Sequence, residues 1–231
     1  MTTHYSVEDL APAETGGIAD VIATAFTDLA IAQWQVPDDP IARWHCLYTQ
    51  FVLQVEYAFT VGARVQGIRD DRGRLVAVAV WMPPTPLDAP AGPEDYDTKL
   101  REITGRHYKR FRTLDAVFAA HTPDDPHTHL MFLASVLRDR GLGTLLLETY
   151  LTEHDRLPDP QPVCLDASCL AAVRLYLRHG FTAGAPVEIP NSDGLSIYPM
   201  RRDPAPHVDL RHTTPRTPQH RPRPASDRPF S

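Results

Sequence analysis

Apolar and polar positions along the chain switch repeatedly between a helical period and a strand period. Tyr5-Ser-Val7 reads as a short first strand, and Gly16 to Phe26 as an amphipathic helix. A second helix runs from Pro40, which suits a first helical position, to about Tyr57. Val65-Gln-Gly-Ile68 and Leu75-Val-Ala-Val-Ala-Val-Trp81 flank the turn Asp70-Asp-Arg-Gly73 and predict a hairpin whose second arm is apolar throughout. A proline-rich loop, Pro83 to Pro93, leads into a helical region from Glu94 to Ala120, broken near Gly105. Beyond it come a strand (His129–Ala134), a helix (Leu142–His154), a strand (Cys164–Ser168) and a helix ending at His179. Two final strands, Thr182–Ile189 and Leu195–Met200, flank Asn191-Ser-Asp-Gly194. This alternation predicts an α/β domain over residues 1–202, with no internal repeat.

Residues 203–231 break the pattern. They hold seven prolines, five arginines and three histidines with almost no apolar periodicity, which predicts a disordered C-terminal tail. Five arginines against three aspartates make the tail basic, so the net charge of −6 for the whole chain leaves the body clearly acidic. An acidic body argues against nucleic acid as a partner and favours a neutral or cationic substrate. The N-terminus lacks the basic and apolar regions of a signal peptide, and no stretch approaches a membrane span, which predicts a cytoplasmic protein with no membrane partner. Cys46, Cys164 and Cys169 have no metal-site spacing, so neither a disulfide framework nor a metal is expected.

The chemistry concentrates at Arg138-Asp-Arg-Gly-Leu-Gly143, between a strand and a helix. Strand, glycine turn and helix together aim unpaired backbone N–H groups at one spot, and that geometry binds phosphate. Glycines at 141 and 143 let an anion approach the backbone, and Arg138 and Arg140 add positive charge. A dinucleotide fingerprint needs a third glycine where Leu146 stands, and a triphosphate loop needs a lysine that is absent. The expected ligand is a phosphorylated cofactor of another kind.

Arg138-x-x-Gly141-x-Gly143 resembles the coenzyme A pyrophosphate turn of the GCN5-related N-acetyltransferases (GNAT). Leu175-Tyr-Leu-Arg-His-Gly-Phe181, after the strand Cys164–Ser168, resembles the second block of that superfamily. Gly180 suits the left-handed residue that closes a helix, and Phe181 starts a new strand. Ala23-Thr-Ala-Phe-Thr-Asp28, Val76–Pro83 and Val187-Glu-Ile-Pro190 extend the likeness, over roughly residues 16–202, to the puromycin N-acetyltransferase branch. The resemblance implies a mixed, mostly antiparallel sheet of six to seven strands, splayed between strands 4 and 5, with helices on both faces. It implies an acetyl-CoA-dependent N-acetyltransferase in which an amine of a small, antibiotic-like or biosynthetic molecule attacks the thioester directly. The alternatives are a non-catalytic acyl-CoA-binding protein, a protein amine as acceptor, or a longer acyl donor. Either a monomer or a homodimer fits.

Carried over position by position, the resemblance assigns the cofactor to Leu133, Ala134, Ser135, Arg138, Asp139, Arg140, Gly141, Leu142, Gly143, Thr144, Cys169 and Tyr176. Tyr176 is the candidate acid for the departing thiolate, with Asp166 and His129 as candidate bases. Asp166 is equally a candidate anchor for a cationic substrate, and Trp34 and Trp81 are candidate walls of the acceptor pocket, with Trp44 and Tyr48 behind them. Cys169 stands where many members carry an asparagine, and Ser135-Val136-Leu137 replaces their Val-x-Pro.

Overall fold

The computed structural model describes residues 4–84, 93 and 95–204. The chain opens with β1 (Val7–Asp9), then α1 (Thr15–Phe26), α2 (Ala30–Gln35) and α3 (Pro40–Thr60). The hairpin β2 (Arg64–Arg69) and β3 (Leu75–Met82) follows. Two helices, α4 (Tyr96–Thr104) and α5 (Tyr108–His121), flank a 3-10 turn at Gly105–His107, which is the predicted break. Next come β4 (Thr128–Ser135), α6 (Leu142–His154), β5 (Val163–Ala167) and α7 (Leu170–Arg178). Three strands finish the described chain, β6 (Thr182–Ala183), β7 (Val187–Glu188) and β8 (Ser196–Arg202).

The sheet runs β1-β2-β3-β4-β5-β8-β6, with β7 also on β8. Every pairing is antiparallel except β4 with β5, which is parallel and lasts only through Thr128↔Val163 and His129↔Cys164. From Leu130 onward β4 keeps β3 on one side and has no strand on the other.

Two cores sandwich the sheet. On one face α1 and α3 bring Ile18, Ile22, Leu47 and Phe51 against Val78, Val80 and Phe132. On the other, α6 and α7 bring Leu146, Leu147, Val173 and Tyr176 against Ala79, Trp81 and Leu130. Leu130 and Phe132 are two residues apart and would normally share a face. They do not, because the register shifts so that Val80 pairs Phe132 while Trp81 pairs Leu130, leaving Met131 as the extra residue of a bulge. The bulge lies where β4 loses its second neighbour.

Three local features differ from the sequence expectation. The first strand is Val7–Asp9, not Tyr5–Val7, since cross-strand ion pairs hold its acidic end: Glu8 with Arg69 at 2.6 Å and Asp9 with Arg64 at 2.8 Å. Hydrophobic patterning is blind to such an edge. The short helix α2 was not anticipated. The strand expected over Thr182–Ile189 divides into β6 and β7 at Gly184-Ala-Pro186, where proline has no N–H for the ladder, so the sheet has eight strands. Residues 85–92 of the proline-rich loop, Glu94 and residues 205–231 of the expected tail lie outside the described residues. Asp203 is described, and its carboxylate pairs with Arg201 at 2.8 Å.

Polar anchors hold the ends of elements. Asp39 caps α3 by accepting from the N–H groups of Ile41 and Ala42 at 3.0 and 3.1 Å. Arg202, at the end of β8, donates to both Asp155 oxygens at 2.8 and 2.5 Å and to the His179 carbonyl at 3.2 Å. It thereby ties the sheet to the ends of α6 and α7. Both side chains of the pair are mostly buried, at 14% and 22% exposure. Deleting one partner strands the other charge, and that effect outweighs the modest net value of the intact pair. Arg202→Leu is expected to cost about 2 kcal/mol, read as a lower urea midpoint with an unchanged slope.

Candidate active site

The turn between β4 and α6 is shaped by two left-handed residues, Asp139 at φ 57° and Gly141 at φ 70°. Left-handed residues set among right-handed ones turn successive N–H groups to one side. A Cβ on Gly141 would meet nothing within 4 Å, so the space beside it is open. The first bond of α6 runs from the Leu145 N–H to the Gly141 carbonyl at 2.9 Å, and no side chain caps the helix. The N–H groups of Leu142, Gly143 and Thr144 therefore have no acceptor among the described residues. Arg138 and Arg140 are exposed and make no ion pair among the described residues. Open space, free donors and uncommitted cations fit a diphosphate. Ser135 folds the approach, its hydroxyl donating to the Leu137 carbonyl at 2.9 Å and accepting from the Leu137 N–H at 3.3 Å.

Tyr176 and Cys169 lie on the same face of the sheet as α6. Tyr176 is buried, edge-on to Phe181 with ring centres 5.6 Å apart. Its hydroxyl has no hydrogen-bond partner among the described residues. Burial, and next the Cys169 sulfur, push this phenol well above the ordinary tyrosine range, so it carries its proton at neutral pH. Cys169 occupies the N-cap of α7, its carbonyl accepting from the Val173 N–H at 3.1 Å while its side chain makes no capping bond. Leu133 is half-buried among the α6–α7 core residues, whereas Ala134 is buried on the opposite face, so only its backbone is on offer to a cofactor.

On that opposite face, where β4 and β5 part, lies a cavity of about 280 Å³. Asp166 lines it from β5, His129 and Cys164 from the apex, and His121 from the end of α5. The structure thus brings together Asp166 and His129, as expected, and adds His121, which sequence reasoning missed. Asp166 has no hydrogen bond or ion pair among the described residues. Burial raises its carboxyl to about 6, with His121 opposing the rise. Burial, and next the charge of His127, lower His129 to about 4. An imidazole made less basic by burial accepts a proton less readily at neutral pH, which weighs against His129 as the base.

The aromatic walls fall elsewhere. Trp81 is 1% exposed, stacks on Tyr150 with ring centres 3.7 Å apart, and donates its indole N–H to Gln66 Oε1 at 3.1 Å. It belongs to the α6–α7 core and cannot line the Asp166 cavity. Trp34 packs with Ile31, Leu114 and Ile197 and donates to the Asn191 carbonyl at 2.8 Å, bracing α2 against the turn before β8. Trp44 stacks on Tyr48 and edges a separate shallow cleft with Thr24 and Pro40. Among the described residues no cluster of His, Cys, Asp or Glu is arranged for a metal, and no helix is long and apolar enough to cross a membrane.

Residues 111–204 match the family model described as an acetyltransferase (GNAT) domain. Over those residues the chain resembles a GNAT acetyltransferase domain. The whole fold is similar to a solved Corynebacterium glutamicum protein described as histone acetyltransferase HPA2 and related acetyltransferase, at 25% identity and TM-score 0.66, over 90% of this chain and 99% of that one. It also resembles the Drosophila melanogaster polyamine N-acetyltransferase at 20% identity and TM-score 0.59, over 87% and 100% of the two chains. A phosphinothricin acetyltransferase from Sinorhizobium meliloti, solved with AcCoA, matches at 13% identity and TM-score 0.54, over 89% and 90%. The β4–α6 turn, β5 and α7 all lie within the matched GNAT segment, whereas α1 to α4 precede it.

Asp166 has a consequence for stability that can be measured. Its folded-state value is raised from the usual 3.8 to about 6. Below the lower value both folded and unfolded chains are protonated and no penalty exists. As pH rises through this window the unfolded chain ionises first and stability falls, and above it the penalty is complete. Asp166→Asn removes the penalty, so at neutral pH the variant is expected to melt higher than the parent and to be more stable by an amount on the order of 3 kcal/mol. Near the lower end of the window the two are expected to melt together in calorimetry.

Proposed function

We propose that this GNAT domain moves the acetyl group of acetyl-CoA to an amine of a small molecule, by direct attack of the amine on the thioester. The observation that carries the reading is the uncapped start of α6, with its open glycine and two uncommitted arginines beside the gap between β4 and β5. Leu142, Gly143 and Thr144 N–H groups, with Arg138 and Arg140, hold the pyrophosphate. The β5-side edge of β4 near Leu133 offers its backbone to the pantetheine arm, and Cys169 lies alongside.

Bound acetyl-CoA supplies the activated acyl group. The amine nitrogen forms the new N–C bond to the carbonyl carbon as the C–S bond breaks. Tyr176, kept protonated by burial, gives its proton to the departing sulfur. The proton released by the nitrogen returns to the phenolate through solvent, so the step balances. The amine enters from the face that holds Asp166, opposite Tyr176. The structural likenesses to a polyamine acetyltransferase and to an acetyltransferase solved with AcCoA support a small-molecule acceptor and this donor. An antibiotic-like acceptor, as the puromycin branch implies, remains within this reading.

Acetyl-CoA is expected to raise the melting temperature, because a ligand bound only by the native state stabilises it by mass action. Gly141→Asp should abolish that shift while leaving the fold intact. The new side chain meets open space and aspartate tolerates the left-handed region, but its charge opposes the phosphates. A parent protein whose melting ignores acetyl-CoA would sink the proposal.

Tyr176→Phe keeps the ring and its contact with Phe181, so acetyl-CoA binding should persist while kcat falls roughly 10²–10⁴-fold. Binding and turnover need separate measurement. Undiminished kcat would remove Tyr176 from the mechanism.

A further inference from the structure

We propose that the acceptor is a small dibasic amine, whose second, positively charged group is held by Asp166 in the cavity between β5, β8 and the end of α5. The inference rests on the acetyl-transfer reading above and names its substrate class.

The charge inventory of the cavity points one way. Asp166 is mostly buried and has no hydrogen bond or ion pair among the described residues. Arg201, the cation in the wall, is already committed to Asp125 and Asp203, each at 2.8 Å. His121 approaches a carbonyl, that of Val117, with Nδ1 at 2.8 Å. A carbonyl only accepts, so Nδ1 carries the hydrogen and is spent on the helix backbone. The C-terminal end of α5 adds the negative pole of its dipole. Asp166 is therefore a carboxylate that no arginine or lysine engages among the described residues, which leaves it open to a cation brought by a ligand.

Its size and apolar walls limit what accompanies that charge. The volume of about 280 Å³ lies just below the usual range for drug-sized ligands, roughly 300–1,000 Å³. Pro123, Pro199 and Cys164 line it, surfaces that suit methylenes. Its apex, at His129 and Cys164, is the last paired position of β4 and β5, and on the acetyl-transfer reading the reacting amine lies there. Asp166 stands two residues farther along β5, about 6.6 Å at strand rise. That spacing matches two nitrogens separated by a short alkyl chain. The cost Asp166 imposes on the fold is then the preparation for this cation: a charge kept without a partner is available to a ligand.

The test uses the full chain with acetyl-CoA, following thiol release with 1,4-diaminobutane and with n-butylamine, which differs by one charge. A charge-assisted hydrogen bond corresponds to about a tenfold or greater preference in kcat/KM for the diamine. Asp166→Asn is expected to reduce kcat/KM for the diamine about tenfold more than for butylamine, mostly through KM. Independently of turnover, 1,4-diaminobutane should raise the melting temperature of the parent and not of Asp166→Asn, whose own melting certifies its fold. Equal use of both amines by the parent overturns the inference. So do equal losses on both amines in the variant, which would make Asp166 a proton acceptor for the reacting nitrogen. Acetylation of neither amine by a protein that acetyl-CoA does stabilise overturns the substrate class and leaves the transfer reading standing. Absence of any acetyl-CoA shift overturns both.

Discussion

The parallel pairing of β4 with β5 ends after two residue pairs, and the rest of the site depends on that ending. A strand that loses its neighbour inside a domain leaves backbone donors and acceptors that something must satisfy. The bulge at Met131 falls at the same place and turns β4 from one core to the other. Both helices that follow the diverging strands, α6 and α7, pack on one face, so the α6 terminus and Tyr176 share a side of the gap. The opposite face is left to Asp166 and its cavity. One interruption in a hydrogen-bond ladder thus creates a cleft with two chemically distinct entrances.

Uncommitted charges mark those entrances. Most charged side chains near the sheet are engaged, as in the Arg202–Asp155 clamp or the Arg64 and Arg69 pairs at β1. Arg138 and Arg140 are not, and neither is Asp166 on the other side. Opposite signs at opposite mouths give an anionic donor and a cationic acceptor different preferred approaches. Neither set stabilises the empty protein, and the buried carboxylate works against it.

Local patterning made most elements legible. The 3.6-residue period over Pro40 and beyond, the apolar run at Leu75 and the glycine punctuation at 141 and 180 each predicted an element that the structure contains, and Gly180 adopts φ 83° as a helix-closing residue should. Features that depend on distant partners were not legible. β1 is held by arginines on β2, and the β6–β7 break is set by how Pro186 sits beside β8. His121 belongs to the cavity only because the end of α5 comes to lie beside β5. Trp81 was misplaced for a related reason: alternation says which residues are buried, not which of two cores receives them. The burial that weakens the His129 imidazole was likewise invisible, since residue type alone suggests a base and says nothing of its surroundings.

The acceptor side also rests on a smaller foundation than the cofactor side. Ile31, Leu114, Val117, Ile189 and Ile197 form a cluster of their own between α2, α5 and β8, joined across the Trp34–Asn191 hydrogen bond. Those same α5 and β8 elements continue into the walls of the Asp166 cavity. Little apolar surface is lost when five side chains part, compared with rupturing either main core, so this corner opens at a lower free energy than global unfolding. The donor side is built on the larger α6–α7 core and stays formed through such openings. A loose corner beside Asp166 and a firm one beside the β4–α6 turn thus give the two sides of the gap different local stabilities.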